Sequence, residues 1–412
     1  MRESSYVVRE CQVCRSDKLE PAAFAGYLPP VNQLRPLGTP LAEQPAYPAQ
    51  VLHCQNCQLV QLGLVVDARI LFPPEYPYTS RTTKILRDNF AELYTEATSL
   101  VPFDPKSLVV DIGSNDGTLL SNFVRGGHPV CGIEPTERAH EANAAGVHTE
   151  MAFFDAHSAG RVVSQLGKAR AVIATNVFAH IDDAQSVVKN IAGMLDERGV
   201  FISESHYLHS LLETLQYDTI YHEHLRYYSL QSLAYLLQTG DFEVFHARRI
   251  PTHGGSVRVY AARKGAYPIQ PSVAAMLAAE RALPLADQFR EFRERMVRSK
   301  LELYRLLADL RGRGKRIVGI GAPSRASTLI TYLGLDEGIL DAVLEVPGSH
   351  KVGKYMPGTL IPVLAENYLF ERKPDIALLL SWHIADELIP KLRAKGFAGQ
   401  FVVPLPEPRL VE

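Results

Sequence analysis

One segment in the first third of the chain constrains the fold more than any other. From Val109 to Leu120 it reads as an apolar strand, a glycine turn and the start of a helix, and a second apolar stretch then ends at Glu134. This order predicts the opening β-α-β unit of a nucleotide-binding parallel sheet. Glycine lets the backbone approach a ligand, and an acid about 20 residues after the turn suits the hydroxyls of a ribose. We therefore expect an adenosine-containing ligand here.

The glycine spacing favours S-adenosylmethionine over NAD as that ligand. Gly113 and Gly117 are present, but the three-glycine spacing that packs a pyrophosphate against the helix start is absent. The same turn carries three polar side chains, Asp111, Asn115 and Asp116. Their acceptors and negative field suit an ammonium and a sulfonium better than phosphates. The alternative is an ordinary strand-turn-helix without a ligand.

Four of the five cysteines fall in two CxxC pairs, Cys11 with Cys14 and Cys54 with Cys57. Each pair places two thiolates on a tight turn, and together they complete the tetrahedral shell of a structural zinc ion. A redox dithiol and free core cysteines are the alternatives. A catalytic zinc is disfavoured, because four sulfur ligands leave no open position. The prediction is one structural Zn²⁺.

Alternating strand-like and helix-like stretches predict an α/β fold with parallel sheets. We expect a zinc-binding lobe at residues 1–72, a Rossmann-like S-adenosylmethionine-binding domain at 73–295 and a second Rossmann-like domain at 296–412. A chain of 412 residues that is 46% hydrophobic can bury more than one core.

The charge and hydropathy patterns limit the classes of partner that the protein can bind. A formal net charge of −2 gives no general attraction to nucleic acid or membranes. No apolar run approaches the ~20 residues of a membrane span, and the polar start does not resemble a signal peptide. We expect a cytoplasmic protein with a small-molecule substrate and no nucleic acid or membrane partner, as a monomer or weak dimer.

Two further segments carry candidate active-site residues. Asn176 stands at the carboxyl end of a predicted strand, where ligands bind in parallel sheets, and His180 follows it. Tyr221, Glu223 and His224 offer a phenol, a carboxylate and a base near neutrality. A helix cap, a core histidine and a polar surface turn are the respective alternatives. A metal site is disfavoured here because the HExxH spacing is missing.

The second half of the chain offers candidate substrate ligands. His253 and Gly255 lie in a turn between two strand-like runs, and Arg258 follows; a plain hairpin turn is the alternative. A second glycine turn near residue 320 leads into Ser324 and Arg325. Arg258, Lys351 and Lys354 could together hold a diphosphate.

The motifs, taken in order, resemble those of the sugar C-methyltransferases that act on C3 of nucleotide-linked 4-keto-deoxyhexoses. They are the two CxxC pairs, DIGSNDG, the Tyr-x-Glu-His segment, HGGSVR and GIGAPSRAS. The resemblance covers essentially the whole chain. It implies a zinc lobe, a central S-adenosylmethionine domain and a C-terminal domain that closes over the sugar nucleotide. By position it also implies an active-site set of Tyr76, His180, Tyr221, Glu223 and His224.

The resemblance implies an enolate mechanism. His224 would remove the C3 proton, Glu223 would orient and tune that base, and Tyr221 or His180 would hold the C4 oxygen. His206-Tyr207 and Trp382-His383 depart from the family pattern, and both could lie near the sugar.

Three other functions remain as alternatives. An NAD-dependent sugar-nucleotide oxidoreductase would use the turn at Gly319 and Gly321 together with Glu345. A sugar O-methyltransferase would share the same methyl donor. A nucleic-acid-binding zinc protein is disfavoured, since the residues around the cysteines are not basic.

Overall fold

A computed structural model describes residues 4–72 and 84–412 of the chain. The N-terminal part is made of short strands and one helical turn: β1 (Tyr6–Val7), β2 (Leu19–Leu28), β3 (Arg35–Pro36), β4 (Tyr47–Cys54), β5 (Val60–Leu62), β6 (Leu64–Val65) and α1 (Ala68–Leu71). β2, β4 and β5 pair antiparallel, and β1 pairs with β6.

The middle part alternates strands and helices: α2 (Lys84–Leu100), β7 (Val109–Ile112), α3 (Leu120–Arg125), β8 (Val130–Ile133), α4 (Arg138–Ala144), β9 (Thr149–Glu150), α5 (Ala156–Leu166), β10 (Ala169–Thr175), α6 (Ala184–Met194), β11 (Leu195–His206), α7 (Leu208–Glu213), β12 (Arg226–Tyr227), α8 (Leu230–Gln238), β13 (Phe242–Ile250), β14 (Ser256–Arg263) and α9 (Pro271–Arg281). Seven of these strands form a sheet in the order β13-β14-β11-β10-β7-β8-β9.

Within this sheet β14 runs antiparallel to both of its neighbours, and the pairs among β11, β10, β7, β8 and β9 are parallel. Every residue of β7 and β8 is buried, which is why these strands read as continuous apolar runs. Asp111 in β7 is the one charged residue among them. The carboxyl ends of the parallel strands share one edge, where the predicted cofactor turn lies.

The C-terminal part contains α10 (Leu285–Gly312), β15 (Ile317–Ile320), α11 (Ser324–Leu333), β16 (Ala342–Glu345), β17 (Lys354–Tyr355), β18 (Pro362–Ala365), α12 (Tyr368–Arg372), β19 (Ile376–Leu379), α13 (Ala385–Ala394), β20 (Gln400–Val403) and β21 (Arg409–Val411). Its sheet has the order β21-β20-β19-β15-β16-β18-β17-β3, and the pairs among β20, β19, β15, β16 and β18 are parallel. Both α/β sheets have the predicted Rossmann-like character.

The three parts are interlocked. β3, from the N-terminal part, is an edge strand of the C-terminal sheet, and β12, from the middle part, pairs with β5. The expected boundary between residues 295 and 296 falls inside α10. Phe289 and Leu303, from the two halves of this helix, contribute to one core that also contains Leu28 and Tyr221. No helix in the described ranges has the length and apolar character that a membrane crossing requires.

Candidate active site

The four paired cysteines come together in the N-terminal part. Their Sγ atoms lie within 4.8 Å of one another, with 3.5 Å between Cys11 and Cys57 and 3.5 Å between Cys14 and Cys54. These distances are too long for disulfides and near the ~3.8 Å edge of a tetrahedron with Zn–S bonds of about 2.3 Å. The N–H groups of Val13 and Cys14 donate to Cys11 Sγ. The four thiols fit the predicted structural zinc ion.

The predicted cofactor turn follows β7 in a backbone conformation that its glycines permit. Gly113 and Gly117 have φ values of 68° and 75°, and Asn115 has a φ of 49°. A Cβ on Gly113 would lie 2.8 Å from Val177 Cγ2, so a larger residue would displace the turn from the loop after β10. Asp116 accepts hydrogen bonds from the backbone and hydroxyl of the threonine two residues on, which shapes the entry into α3.

Two acids of the cofactor segment face this turn. Glu134, after β8, accepts hydrogen bonds from Asn115 N–H and Thr136 N–H, both at 2.9 Å. Asp111 is 2% exposed, and its Oδ1 has no hydrogen-bond partner in residues 4–72 or 84–412. Burial, together with the carboxylates of Glu134 and Glu204, raises the pKa of Asp111 well above its usual range.

This environment fits S-adenosylmethionine. A buried carboxylate oxygen without a partner is destabilising until a cation or a hydrogen-bond donor reaches it. The ammonium and sulfonium of S-adenosylmethionine carry positive charge, whereas the phosphates of a dinucleotide would add negative charge beside Asp111. Asn176, with a φ of 56°, follows β10 at the same edge of the sheet, and its N–H donates to Glu204 O.

The predicted base, His224, is oriented by a backbone hydrogen bond. Its Nδ1 lies 2.8 Å from the carbonyl oxygen of Thr219, which ends a 3₁₀ turn over Tyr217–Thr219. Because a carbonyl oxygen only accepts, Nδ1 carries the proton and Nε2 keeps its lone pair. Burial lowers the pKa of His224 to about 4, so the ring is neutral at pH 7, although part of it remains accessible.

Two neutral polar rings lie beside His224. The ring centroid of Tyr221 is 4.2 Å away, and that of His180 is 5.1 Å away at an interplanar angle of 76°. Burial lowers the pKa of His180 to about 3 and raises the pKa of Tyr221, so neither ring is charged at pH 7. They can donate hydrogen bonds to an oxygen that becomes negative. Tyr76, the other ring expected here, lies outside the described residues.

Glu223 contacts a different partner from the one expected. Its Oε1 accepts a hydrogen bond at 2.8 Å from Asn32 Nδ2, and Ser324 Oγ lies 3.4 Å from Asn32 Oδ1. The His224 ring is oriented by the carbonyl oxygen of Thr219. The expected role of Glu223 in orienting the base stays a prediction, and the hydrogen bonds through Asn32 connect Glu223 with the N-terminal and C-terminal parts of the chain.

Arg325 is held in a buried ion pair. Its Nε and Nη2 each donate at 2.8 Å to the two carboxylate oxygens of Asp218, which also accepts a hydrogen bond at 2.7 Å from Trp382 Nε1. The guanidinium carbon lies 4.9 Å from the centroid of the Trp382 ring. The positive charge of Arg325 is thus balanced within the site.

The second glycine turn is occupied by contacts of the chain itself. Lys351 Nζ donates to Ala322 O at 2.6 Å. The carboxylate of Glu345 accepts hydrogen bonds from Ala322 N–H and Val346 N–H, at 2.8 and 2.9 Å. Burial lowers the pKa of Lys351, an effect opposed by the nearby Glu345 and Glu223, and this places Lys351 near the Glu223 segment. Lys354 is half-buried in β17.

Arg258 lies in the protein interior, apart from these lysines. Its fully buried guanidinium is bonded to Glu204 at 2.6 Å, Glu96 at 2.5 Å and the side chain of Asn89 at 2.8 Å. All of its nitrogens are engaged, so it has no free face for a diphosphate. We therefore assign Arg258 to an internal ion-pair network and not to the substrate.

His253 and Gly255 occupy the predicted turn between β13 and β14. A Cβ on Gly255 would lie 2.5 Å from the Ser210 side chain, so this glycine is required for the packing of α7. His253 has a φ of 55°, which is uncommon for a residue other than glycine, and its carbonyl oxygen lies 3.0 Å from His206 Nε2.

Sequence reasoning missed Asn32, Asp218 and Thr219. Asn32 is separated from Glu223 by 191 residues, and Asp218 from Arg325 by 107 residues. No local sequence pattern predicts contacts between residues so far apart in the chain. A buried acid directly before the Tyr-x-Glu-His segment was a weak signal for Asp218.

Three family models match consecutive parts of the chain. One described as "Putative zinc binding domain" matches residues 11–72, one described as "Methyltransferase domain" matches 79–247, and one described as "C-methyltransferase C-terminal domain" matches 251–406. Their order is that of the zinc lobe and the two Rossmann-like sheets.

One curated relative matches almost end to end. C-methyltransferase NovU from Streptomyces niveus is 32% identical over 411 residues, which cover 98% of this chain and 97% of NovU. Among solved structures, the S-adenosylmethionine-bound magnesium protoporphyrin IX methyltransferase of Synechocystis PCC 6803 is 18% identical, with a TM-score of 0.32, and the match covers 43% of this chain and 78% of that one. An S-adenosylmethionine-dependent methyltransferase from Clostridium acetobutylicum is 13% identical, with a TM-score of 0.33, over 45% and 94% of the two chains.

Proposed function

This chain belongs to the same C-methyltransferase family as NovU, and on that premise we propose that its substrate is a nucleotide-diphosphate-linked 4-keto deoxysugar. It is an S-adenosylmethionine-dependent C-methyltransferase with a structural zinc site. Methylation takes place on a carbon next to the ketone.

The tautomer of His224 is the observation that supports this proposal most directly. A carbon next to a ketone loses its proton to a base only if that base is unprotonated and correctly placed. His224 is neutral at pH 7, its Nδ1 proton is held by Thr219 O, and its Nε2 lone pair is available. Tyr221 and His180, whose ring centroids lie 4.2 and 5.1 Å from that of His224, would donate hydrogen bonds to the enolate oxygen.

The chain's own residues account for the steps as follows. His224 Nε2 takes the proton from the carbon, and the C–H electron pair moves onto the ketone oxygen as an enolate. Tyr221 or His180 stabilises that oxygen by donating a hydrogen bond. When bound, S-adenosylmethionine would supply the electrophilic methyl group to which the enolate carbon bonds, with the thioether as the leaving group. Asp111, the turn at Gly113 to Gly117, Glu134 and Asn176 would hold the donor in line.

Lysines of the C-terminal part are the proposed partners of the diphosphate. Lys351 is half-buried near Glu223, and Lys354 is half-buried on β17. Ser324 and Arg325 begin α11 on the side that faces the Glu223 segment. An NAD-dependent reaction at this turn gains no support from the C-methyltransferase family to which the chain belongs.

Mass spectrometry in deuterated buffer tests the proposal. The protein is incubated with S-adenosylmethionine and a panel of 4-keto sugar nucleotides, and the products are fragmented to locate the methyl group. We expect a gain of one methyl on carbon, together with deuterium exchange next to the ketone. A methyl group on oxygen, or no transfer to any 4-keto sugar nucleotide, would contradict the proposal.

A further inference from the structure

Three histidines outside the His224 set lie together beside Arg325. His206 ends β11, His253 lies in the 3₁₀ turn at Thr252–Gly254, and His383 lies in the 3₁₀ turn at Trp382–Ile384. The two turns contact each other, and His206 Nε2 lies 3.0 Å from the carbonyl oxygen of His253. We call these three side chains the histidine cluster.

Each ring of the histidine cluster has a buried nitrogen without a partner. These are His206 Nδ1, His253 Nε2 and His383 Nδ1, for which residues 4–72 and 84–412 supply no hydrogen bond. The rings themselves keep some accessible surface. A buried polar atom left unpaired destabilises a protein. Three such atoms in one place indicate a site that a ligand completes.

The charge of the site indicates what kind of ligand this is. Burial lowers the pKa of His206 to about 3 and that of His253 to about 4, and it lowers the pKa of His383 well below the usual range. The rings are therefore neutral at pH 7, and Asp218 balances the charge of Arg325. Within the described residues, the cysteines are the only set of His, Cys, Asp or Glu ligands close enough to share a metal ion.

The donor and acceptor roles of the ring nitrogens further restrict which chemical groups the site can bind. His206 Nε2 faces a carbonyl oxygen, so it carries the ring proton and Nδ1 is a bare acceptor. An anion has only acceptors and cannot satisfy Nδ1. A hydroxyl group donates one hydrogen bond and accepts others, so it can pair with His206 and with an N–H of a neighbouring ring.

We propose that the histidine cluster is a specificity pocket that recognises a free hydroxyl group of the sugar, so that the substrate class is a 4-keto sugar nucleotide retaining a hydroxyl beside the reacting region. This inference rests on the proposed function. His206 and His224 have ring centroids 6.4 Å apart, so one sugar can contact both the base and the cluster. The left-handed backbone of His253 agrees with a ring held for binding.

Equilibrium binding tests this inference without requiring turnover. Calorimetry would compare thymidine-diphosphate 4-keto-6-deoxyglucose with its 2-deoxy and 3-deoxy analogues, each in the presence of S-adenosylhomocysteine so that no methyl group is transferred. In the wild-type protein, one analogue should bind on the order of 10- to 100-fold more weakly than the parent sugar. In His206→Phe and His383→Phe, which keep a ring but remove the nitrogens, that penalty should shrink to a few-fold.

His209→Phe is the matched control. His209 is also buried, but it lies on α7 and its Nδ1 is 3.3 Å from Gln288 Oε1. This variant should keep the wild-type ratio between the sugars. Equal affinity of the wild type for all three sugars, or a penalty that persists in both cluster variants, would overturn the inference.

The same experiments distinguish a failure of the proposed function from a failure of this inference. Normal discrimination between the sugars without any methyl transfer to them would contradict the proposed function and support the pocket. If none of the three sugar nucleotides binds, the inference is contradicted, whereas the proposed function is contradicted only if no 4-keto sugar nucleotide of the panel is methylated.

Discussion

The proposed reactivity of His224 as a base would depend on two neighbouring features, a carbonyl oxygen and burial. The Thr219 carbonyl oxygen fixes the tautomer, and burial keeps the ring neutral. Replacing His224 with alanine should therefore lower the rates of both methylation and deuterium exchange next to the ketone by about 10²- to 10⁴-fold. Exchange is followed by NMR, and donor affinity, which should stay unchanged, by calorimetry.

His222→Ala is the control for that prediction. His222 Nε2 lies 3.2 Å from Pro48 O, so this ring faces the N-terminal part of the chain and not His224. The variant should retain exchange. If His224→Ala still exchanges the proton at nearly the wild-type rate, the base is another residue, and His180 and Tyr221 are the next candidates.

The residues that sequence reasoning found and those it missed differ in how their contacts arise. His224 and Tyr221 were predicted because their chemistry is dense within a few residues. Thr219 was missed because its role comes from a carbonyl group, which every residue carries, and is created by the 3₁₀ turn. Arg258 was misjudged because the sequence does not reveal that Glu96 and Glu204 neutralise it.

At the scale of elements, long apolar patterns were predictable and two-residue strands were not. The glycine turn correctly placed β7 and β8. β3 and β12 have two residues each and carry no periodicity. Their pairing with distant strands follows from tertiary packing, which overrides local preference.

At the scale of elements, we expect the two CxxC pairs to bind zinc and thereby stabilise the fold. Wild-type protein should contain one zinc ion per chain, and Cys54→Ser should lose it together with solubility or cooperative unfolding, because a structural metal site contributes its binding free energy to folding. Elemental analysis and thermal melts measure the two effects. Cys131→Ser is the control, since Cys131 is buried in β8 outside the pairs, and it should retain zinc. A Cys54→Ser protein that melts like the wild type without metal would contradict a structural role.

At the scale of the whole molecule, the active site is built where the three parts interlock. Asn32, Glu223 and Ser324 come from the N-terminal, middle and C-terminal parts, and their hydrogen bonds meet in one place. The three parts were predictable from their separate motifs. Their common core, which contains Tyr221 and residues of α10, was not, because each strip of apolar surface has several possible partners in sequence.

This construction buries several neutral histidines, and so the stability of the whole molecule should depend on pH. An unfolded histidine binds a proton near pH 6.5, whereas burial holds the pKa of folded His206 at about 3. Between these values the unfolded state binds more protons, so the free energy of unfolding falls as pH falls below about 6.5. His206→Phe should remove one such proton and make the decline between pH 6 and pH 5 shallower by up to about 1.4 kcal/mol per pH unit.

Urea unfolding at several pH values measures the slope, and the thiols of the zinc site contribute equally to both proteins. His157→Phe, at an exposed position on α5, should leave the slope as in the wild type. Equal slopes for wild type and His206→Phe would mean that His206 is already protonated in the folded protein.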